Sequence, residues 1–156
     1  MTTFYRLVKP RYSTSPFDGE GARRFGGRWN SHGVAVAYAS SSVSLAALEV
    51  LVHLQNQEIL RTFVLCSIAL SERSIETLET DRLPSDWRSE PASQSTKTIG
   101  DTWVESGSSM ALRVPSTVVP VETNILLNPT HRRFRKAVLT VQTQDFEFDP
   151  RLHAVP

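Results

Sequence analysis

The stretch Val34-Ala35-Val36-Ala37-Tyr38-Ala39-Ser40-Ser41-Ser42-Val43-Ser44-Leu45-Ala46-Ala47-Leu48-Glu49-Val50-Leu51 changes its period halfway, and that change decides how the chain is read. Val34 to Ala39 is short, apolar and β-branched at Val34 and Val36, which predicts a strand. Three serines follow, a residue type that caps helix N-termini, and Val43 to Gln57 then reads as the strongest helix of the chain. Its apolar residues cover most of the circumference, with Val43, Ala47, Val50 and Leu54 on one side and Leu48 and Leu51 on another, so it is expected to be buried on several sides. Glu49 shares its own face with Ser42, His53 and Asn56, together with Leu45, Ala46 and Val52. Two readings of that face stand side by side. It is the solvent face, where a helical glutamate usually sits, or it lines a cleft, where a partly desolvated carboxylate would bind a sugar hydroxyl or a developing cation.

The neighbouring segments supply the rest of the fold class. Phe4 to Val8 reads as a first strand, and Arg11 to Arg28 as a loop punctuated by Pro16, Gly19, Gly21, Gly26 and Gly27. Arg61 to Ala69 reads as a buried strand, Ser71 to Ser95 as polar and irregular, and Thr96 to Ser106 as a second helix ending near Gly107. Met110 to Val119, Ile125 to Leu127 and Ala137 to Gln142 read as further strands, with Phe146 to Phe148 a last fragment. Strands outnumber helices and come in runs, so the class is α+β with a largely antiparallel sheet. No internal repeat or linker divides the chain, and residues 1–156 are read as one domain.

Composition narrows the function. The apolar fraction of 40% and charged fraction of 21% are those of a globular protein, and the formal net charge of +1 gives no global basic field for direct DNA binding. No apolar run reaches membrane-spanning length and no signal-peptide core follows the N-terminal Met-Thr-Thr-Phe-Tyr-Arg, so the expected location is the cytoplasm. The single cysteine, Cys66, excludes an internal disulfide and reads as a buried strand residue. His32, His53, His131 and His153 lack paired metal-ligand spacing, so no metal is assigned.

Four polar residues stand out against apolar or glycine-rich surroundings. Arg28, in Phe25-Gly26-Gly27-Arg28-Trp29-Asn30, follows two glycines that let backbone approach a ligand, and its guanidinium forks onto phosphate oxygens. The P-loop and dinucleotide fingerprints are rejected there: Gly27-Arg28 stands where Lys-Ser/Thr is required, and Arg24 replaces the third fingerprint glycine. Arg23 and Arg24 read as a solvated basic loop and Trp29 as a core anchor. Tyr38 is either a buried tyrosine with a satisfied hydroxyl or a ring left open, by its alanine neighbours, to an aromatic ligand such as nicotinamide. Ser116 follows Val114-Pro115 and reads as a turn or cap residue, without the glycine elbow of a serine nucleophile.

In order, these pieces resemble the RES domain family. The resemblance runs from Tyr5-Arg6-Leu7 through Gly26-Gly27-Arg28-Trp29-Asn30, Tyr38-Ala39-Ser40, Ala47-Leu48-Glu49, Ile99-Gly100-Asp101-Thr102-Trp103 and Leu112-Arg113-Val114-Pro115-Ser116. It continues through Glu122-Thr123-Asn124-Ile125-Leu126-Leu127-Asn128-Pro129 and His131 to Phe148-Asp149-Pro150-Arg151-Leu152. It implies a split sheet similar to that of the ADP-ribosyltransferase toxins. It implies a toxin of a bacterial toxin–antitoxin pair that cleaves the nicotinamide–ribose bond of NAD with water or inorganic phosphate as acceptor. NAD is then a substrate and no cofactor is needed. Glu49, Arg28 and Tyr38 become catalytic, with Arg28, Tyr38 and Ser116 binding substrate, and the partner is an Xre-type helix-turn-helix antitoxin that carries any DNA contact. A homo-oligomer stays open. The alternatives are transfer of ADP-ribose to a protein and a non-catalytic nucleotide-binding module.

Overall fold

The computed structural model describes residues 1–54 and 61–152. Its elements run β1 (Thr2–Val8), α1 (Glu20–Phe25), β2 (Ala37–Ser40), α2 (Val43–Leu51), β3 (Phe63–Leu70), β4 (Ile75–Thr77), α3 (Gln94–Ser106), β5 (Ala111–Pro115), β6 (Thr123–Leu127), α4 (Phe134–Val138) and β7 (Gln142–Phe146). The strands form one seven-stranded sheet in the order β4-β5-β6-β2-β1-β3-β7. Every pairing is antiparallel except β4 with β5. The fold is therefore α+β with a largely antiparallel sheet.

The sheet is nearly parted at its middle. β1 pairs with β3 continuously from Thr2↔Leu70 to Val8↔Val64, and β2 with β6 from Ala37↔Leu127 to Ser40↔Asn124. Between β1 and β2 the register holds only at Tyr5↔Ser40. Continued pairing would set Leu7 opposite Tyr38, and it does not form. The two strands diverge instead, and the Arg6 guanidinium reaches over to the Tyr38 carbonyl at 3.4 Å. A seam opens where an ordinary sheet would be closed.

Alternation along the strands sorts the side chains onto two faces. Phe4, Val8, Ala37, Ala39, Cys66, Ile68, Ile125 and Leu127 build the main core with Phe134 and Ala137 of α4. On the opposite face two clusters lie apart. Leu7, Phe63 and Leu65 pack against Val43, Ala47 and Val50 of α2. Leu112, Val114 and Leu126 pack against Trp103 and Ile99 of α3, with Trp29. The two helices thus cover the two halves of the sheet and leave the seam between them.

Several boundaries differ from the sequence reading. Val34 and Val36 precede β2, which starts at Ala37, and Ser42 caps α2 by accepting from the Leu45 N–H at 3.1 Å. α2 ends at Leu51, and 55–57 of the expected helix lie outside the described residues. The expected glycine-rich loop contains α1, whose first N–H, from Glu20, donates to Asp18 Oδ1, and which stops at Gly26 with φ of 71°. The polar stretch after Ser71 contributes β4. The strand expected over Ala137 to Gln142 does not form. Phe134 and Ala137, three residues apart, both reach the core while Arg133, Arg135 and Lys136 stay exposed, so the segment closes as a helix turn. β7 follows it as a polar edge strand, held by backbone pairing to β3 and not by apolar alternation.

α3 crosses the backbone of the Gly-Gly-Arg-Trp loop at closest approach. A Cβ on Gly100 would lie 1.6 Å from the Trp29 carbonyl oxygen, whereas one on Gly21 would meet nothing within 4 Å. Gly100→Ala should therefore lose at least about 1–3 kcal/mol of unfolding free energy. Gly21→Ala should be neutral or gain up to about 1 kcal/mol from helix propensity. Urea titration of the two variants checks this, and indistinguishable midpoints would contradict the close crossing.

Candidate active site

Tyr38 anchors the loop that precedes it. Its hydroxyl donates to Asn30 Oδ1 at 2.6 Å and accepts from the Trp29 N–H at 3.0 Å. Asn30 is fully buried, and its amide nitrogen lies within hydrogen-bond distance of the Ala22, Ser31 and Val34 carbonyls. A Cβ on Gly27 would come within 2.6 Å of the Tyr38 oxygen, so only glycine lets the loop close over this pair. Burial pushes the Tyr38 phenol well above its ordinary pKa, with the Trp29 N–H opposing in part. The hydroxyl is structural; the ring is what Tyr38 offers the cavity it lines.

Glu49 projects from α2 toward the other half of the sheet. Its Oε1 accepts from Ser116 Oγ and from Asn124 Nδ2, both at 2.6 Å. The Ser116 oxygen also accepts from the Val118 and Val119 N–H groups at 3.1 and 3.0 Å. Ser116 is fully buried, so its side chain reaches the cavity only through Glu49. The second oxygen of Glu49, Oε2, has no hydrogen-bond partner among the described residues, and Glu49 lines the cavity. The cleft-wall reading of this face is the one the geometry takes.

Arg28 forms the opposite wall. Its guanidinium donates to the Trp87 and Ser89 carbonyls at 3.1 and 2.7 Å and to Glu90 Oε2 at 2.9 Å. Its backbone carbonyl accepts from Thr96 Oγ1 at 2.6 Å. Arg28 thus ties the 87–90 segment and the first turn of α3 to the glycine loop, and among the described residues its one carboxylate partner, Glu90, is 82% exposed. Arg23 and Arg24 pair with Glu20 at the surface, and Trp29 is a core residue.

Between these walls lies a cavity of about 1180 Å³, at the large end for a ligand site. Among the described residues Arg6, Arg28 and Lys97 line it with two carboxylates, Glu49 and Glu90, and the three cations suit a pyrophosphate. Phe25 and Val52 are exposed apolar residues in its lining. The sequence reading singled out Arg28, Tyr38, Glu49 and Ser116; the first three line this cavity, whereas Ser116, expected to bind substrate, is buried behind Glu49 and does not line it. It assigned no role to Arg6, Asn30, Lys97 or Asn124. Arg6 was legible as a lone cation inside the apolar run Phe4-Tyr5-Arg6-Leu7-Val8; desolvation lowers its pKa from the usual guanidinium value. Asn124 had a weaker signal, a polar residue just before Ile125-Leu126-Leu127.

The RES domain model matches residues 3–149. A Yersinia enterocolitica protein named Toxin Res is 49% identical over 95% of this chain and 97% of its own length. A Photorhabdus laumondii protein of the same name is 45% identical over 95% of each chain. A Sphingobium protein named Prs ADP-ribosylating toxin is 36% identical, covering 97% of this chain and 96% of its own. Among solved structures, the M. tuberculosis MbcT–MbcA toxin–antitoxin complex contains a chain of similar fold, with a TM-score of 0.77, 21% identity and coverage of 97% of this chain and 86% of that one.

The buried hydroxyl of Tyr38 gives a direct optical test. A free phenol ionises near pH 10, so wild-type protein and Tyr38→Phe should show equal phenolate absorbance at about pH 10.5 while both stay folded. A variant amplitude smaller by one tyrosine would contradict the buried, doubly bonded hydroxyl.

Proposed function

The chain belongs to the RES domain family, and on that premise we propose that it is the toxin of a bacterial toxin–antitoxin pair and that it cleaves the nicotinamide–ribose bond of NAD. The observation that carries this reading is the Glu49 carboxylate, clamped through one oxygen by Ser116 and Asn124 and presenting the other to a cationic cavity.

In the proposed reaction the bond between the anomeric carbon and the nicotinamide nitrogen breaks. Its electron pair leaves with nicotinamide, which departs neutral, and the ribose develops oxocarbenium character. Glu49 Oε2 holds a ribose hydroxyl and faces the growing positive charge, an interaction stronger in the transition state than in the ground state. Hydrogen bonds to the 2-hydroxyl act in the same way in glycoside hydrolysis. The Tyr38 ring packs on nicotinamide. Arg6, Lys97 and Arg28 hold the phosphates, Arg28 exchanging the Glu90 carboxylate for the ligand. Ser116 acts on substrate only by orienting Glu49. Water or inorganic phosphate then bonds to the anomeric carbon, and an attacking water gives its proton to solvent.

A second reading, transfer of ADP-ribose to a protein side chain, draws support from the 36% identity to a protein named as an ADP-ribosylating toxin. It uses the same bond cleavage with a different acceptor. An enzyme that consumes a shared metabolite also needs an inhibitor, and we assign that role to an Xre-type antitoxin seated over the cavity mouth beside α1.

Nicotinamide release from NAD, followed by chromatography with and without phosphate, tests the reaction. The Glu49→Gln side chain keeps a carbonyl for the Ser116 and Asn124 donors, so the fold should survive, while turnover should fall by about 100-fold or more. Intact NAD after incubation with folded wild-type protein overturns the proposal, and near-normal turnover by Glu49→Gln removes the carboxylate from it. Labelled ADP-ribose on a lysate protein, found by mass spectrometry, would favour the transferase reading.

A further inference from the structure

Asn124 sits on β6 directly opposite Ser40 of β2, on the face that also carries Tyr38. Ser40 is buried, and its hydroxyl donates to Asn124 Oδ1 at 2.8 Å. That bond sets the amide: with its oxygen turned to Ser40, its nitrogen points to Glu49 Oε1, 2.6 Å away. On the other side Ser116 has no freedom either. Its oxygen already accepts two backbone N–H groups, so its own hydrogen is left for Glu49. Two donors of fixed direction therefore meet at one carboxylate oxygen.

We propose that Asn124 is a positioning residue for Glu49, holding the carboxylate so that Oε2 faces substrate and tying its orientation to the strand that carries Tyr38. The proposal rests on the NAD reading of the site and extends it. An amide suits this position at any pH because it accepts from Ser40 and donates to a carboxylate at once. Ser40 and Tyr38 are alternate residues of β2 on one face, so the reference that orients the carboxylate also places the ring against nicotinamide. Arg6, Arg28, Tyr38, His53, Glu90 and Lys97 share the cavity, and none of them hydrogen-bonds Glu49 or Asn124 among the described residues.

Asn124→Ala leaves Oε1 one donor and should lower kcat by about 10–100-fold, as loss of an orienting partner does elsewhere, with KM within about threefold. Asn124→Asp sets a second carboxylate against Glu49, and such a pair holds one proton between them. With that proton the introduced carboxyl donates as the amide does; without it, it repels Glu49. Relative to wild type, Asn124→Asp should therefore keep most activity near pH 5 and lose it progressively toward about pH 8. Carboxyl carbon NMR of the same variant should show Glu49 and the introduced carboxyl titrating as a coupled pair, a readout that does not need turnover. Wild-type kcat in Asn124→Ala, a pH-independent loss in Asn124→Asp, or an uncoupled Glu49 titration each overturns the proposal. A coupled titration in Asn124→Asp, together with a wild-type protein that releases no nicotinamide, would instead leave the placement of Asn124 standing and remove the NAD reading.

Discussion

Two neighbouring strands that stop pairing after one bridge leave backbone groups and a gap that the rest of the chain must serve. β1 and β2 meet at Tyr5 and Ser40 and then diverge. Buried carbonyls beyond such a point need other partners. Arg6 supplies one at Tyr38, and so a guanidinium, an expensive group to bury, is stationed at the floor of the seam. The helices respond to the same break. α2 covers the β1–β3 half and α3 the β2–β6–β5 half, and the space between them becomes the cavity.

Each wall of that cavity is held by polar groups that satisfy one another. On one side Tyr38 and Asn30 lock the glycine loop, and Arg28 ties it to the 87–90 segment. On the other, Ser116 and Asn124 fix one oxygen of Glu49. Buried networks of this kind are costly when any member lacks a partner, and rigid when all are paired. In the proposed reaction this rigidity matters, because a carboxylate placed in advance need not reorganise as charge develops on a bound sugar.

The sequence displayed the parts with a strong local cause. The serine run before Val43 marked the start of α2, and the cluster of glycines before Arg28 marked a backbone that other groups approach closely. Residues whose role depends on a partner far along the chain were harder to read. Ser116 is a turn residue by its surroundings, and only its 67-residue reach to Glu49 makes it part of the site. Asn124 showed only as a polar residue ahead of Ile125-Leu126-Leu127, with nothing to point to Glu49, and Arg28 gave no hint that it would meet the 87–90 segment. The α4–β7 region misled for a different reason. Ala137 to Gln142 has strand-like residues at Val138 and Val141, but burial of Phe134 and Ala137 at helical spacing decides the conformation, and β7 is set by pairing with β3.

The central claim is that Glu49 Oε2 addresses the ribose next to nicotinamide. The most direct measurement is the crystal structure of this protein with a carbocyclic NAD analogue, whose nicotinamide bond cannot be cleaved. The account predicts the analogue in the seam between α2 and α3, with a hydroxyl of its nicotinamide-side ring within hydrogen-bond distance of Glu49 Oε2 and the nicotinamide against the Tyr38 ring. An analogue bound elsewhere, or lying in the cavity with Glu49 facing the adenine half, would contradict it.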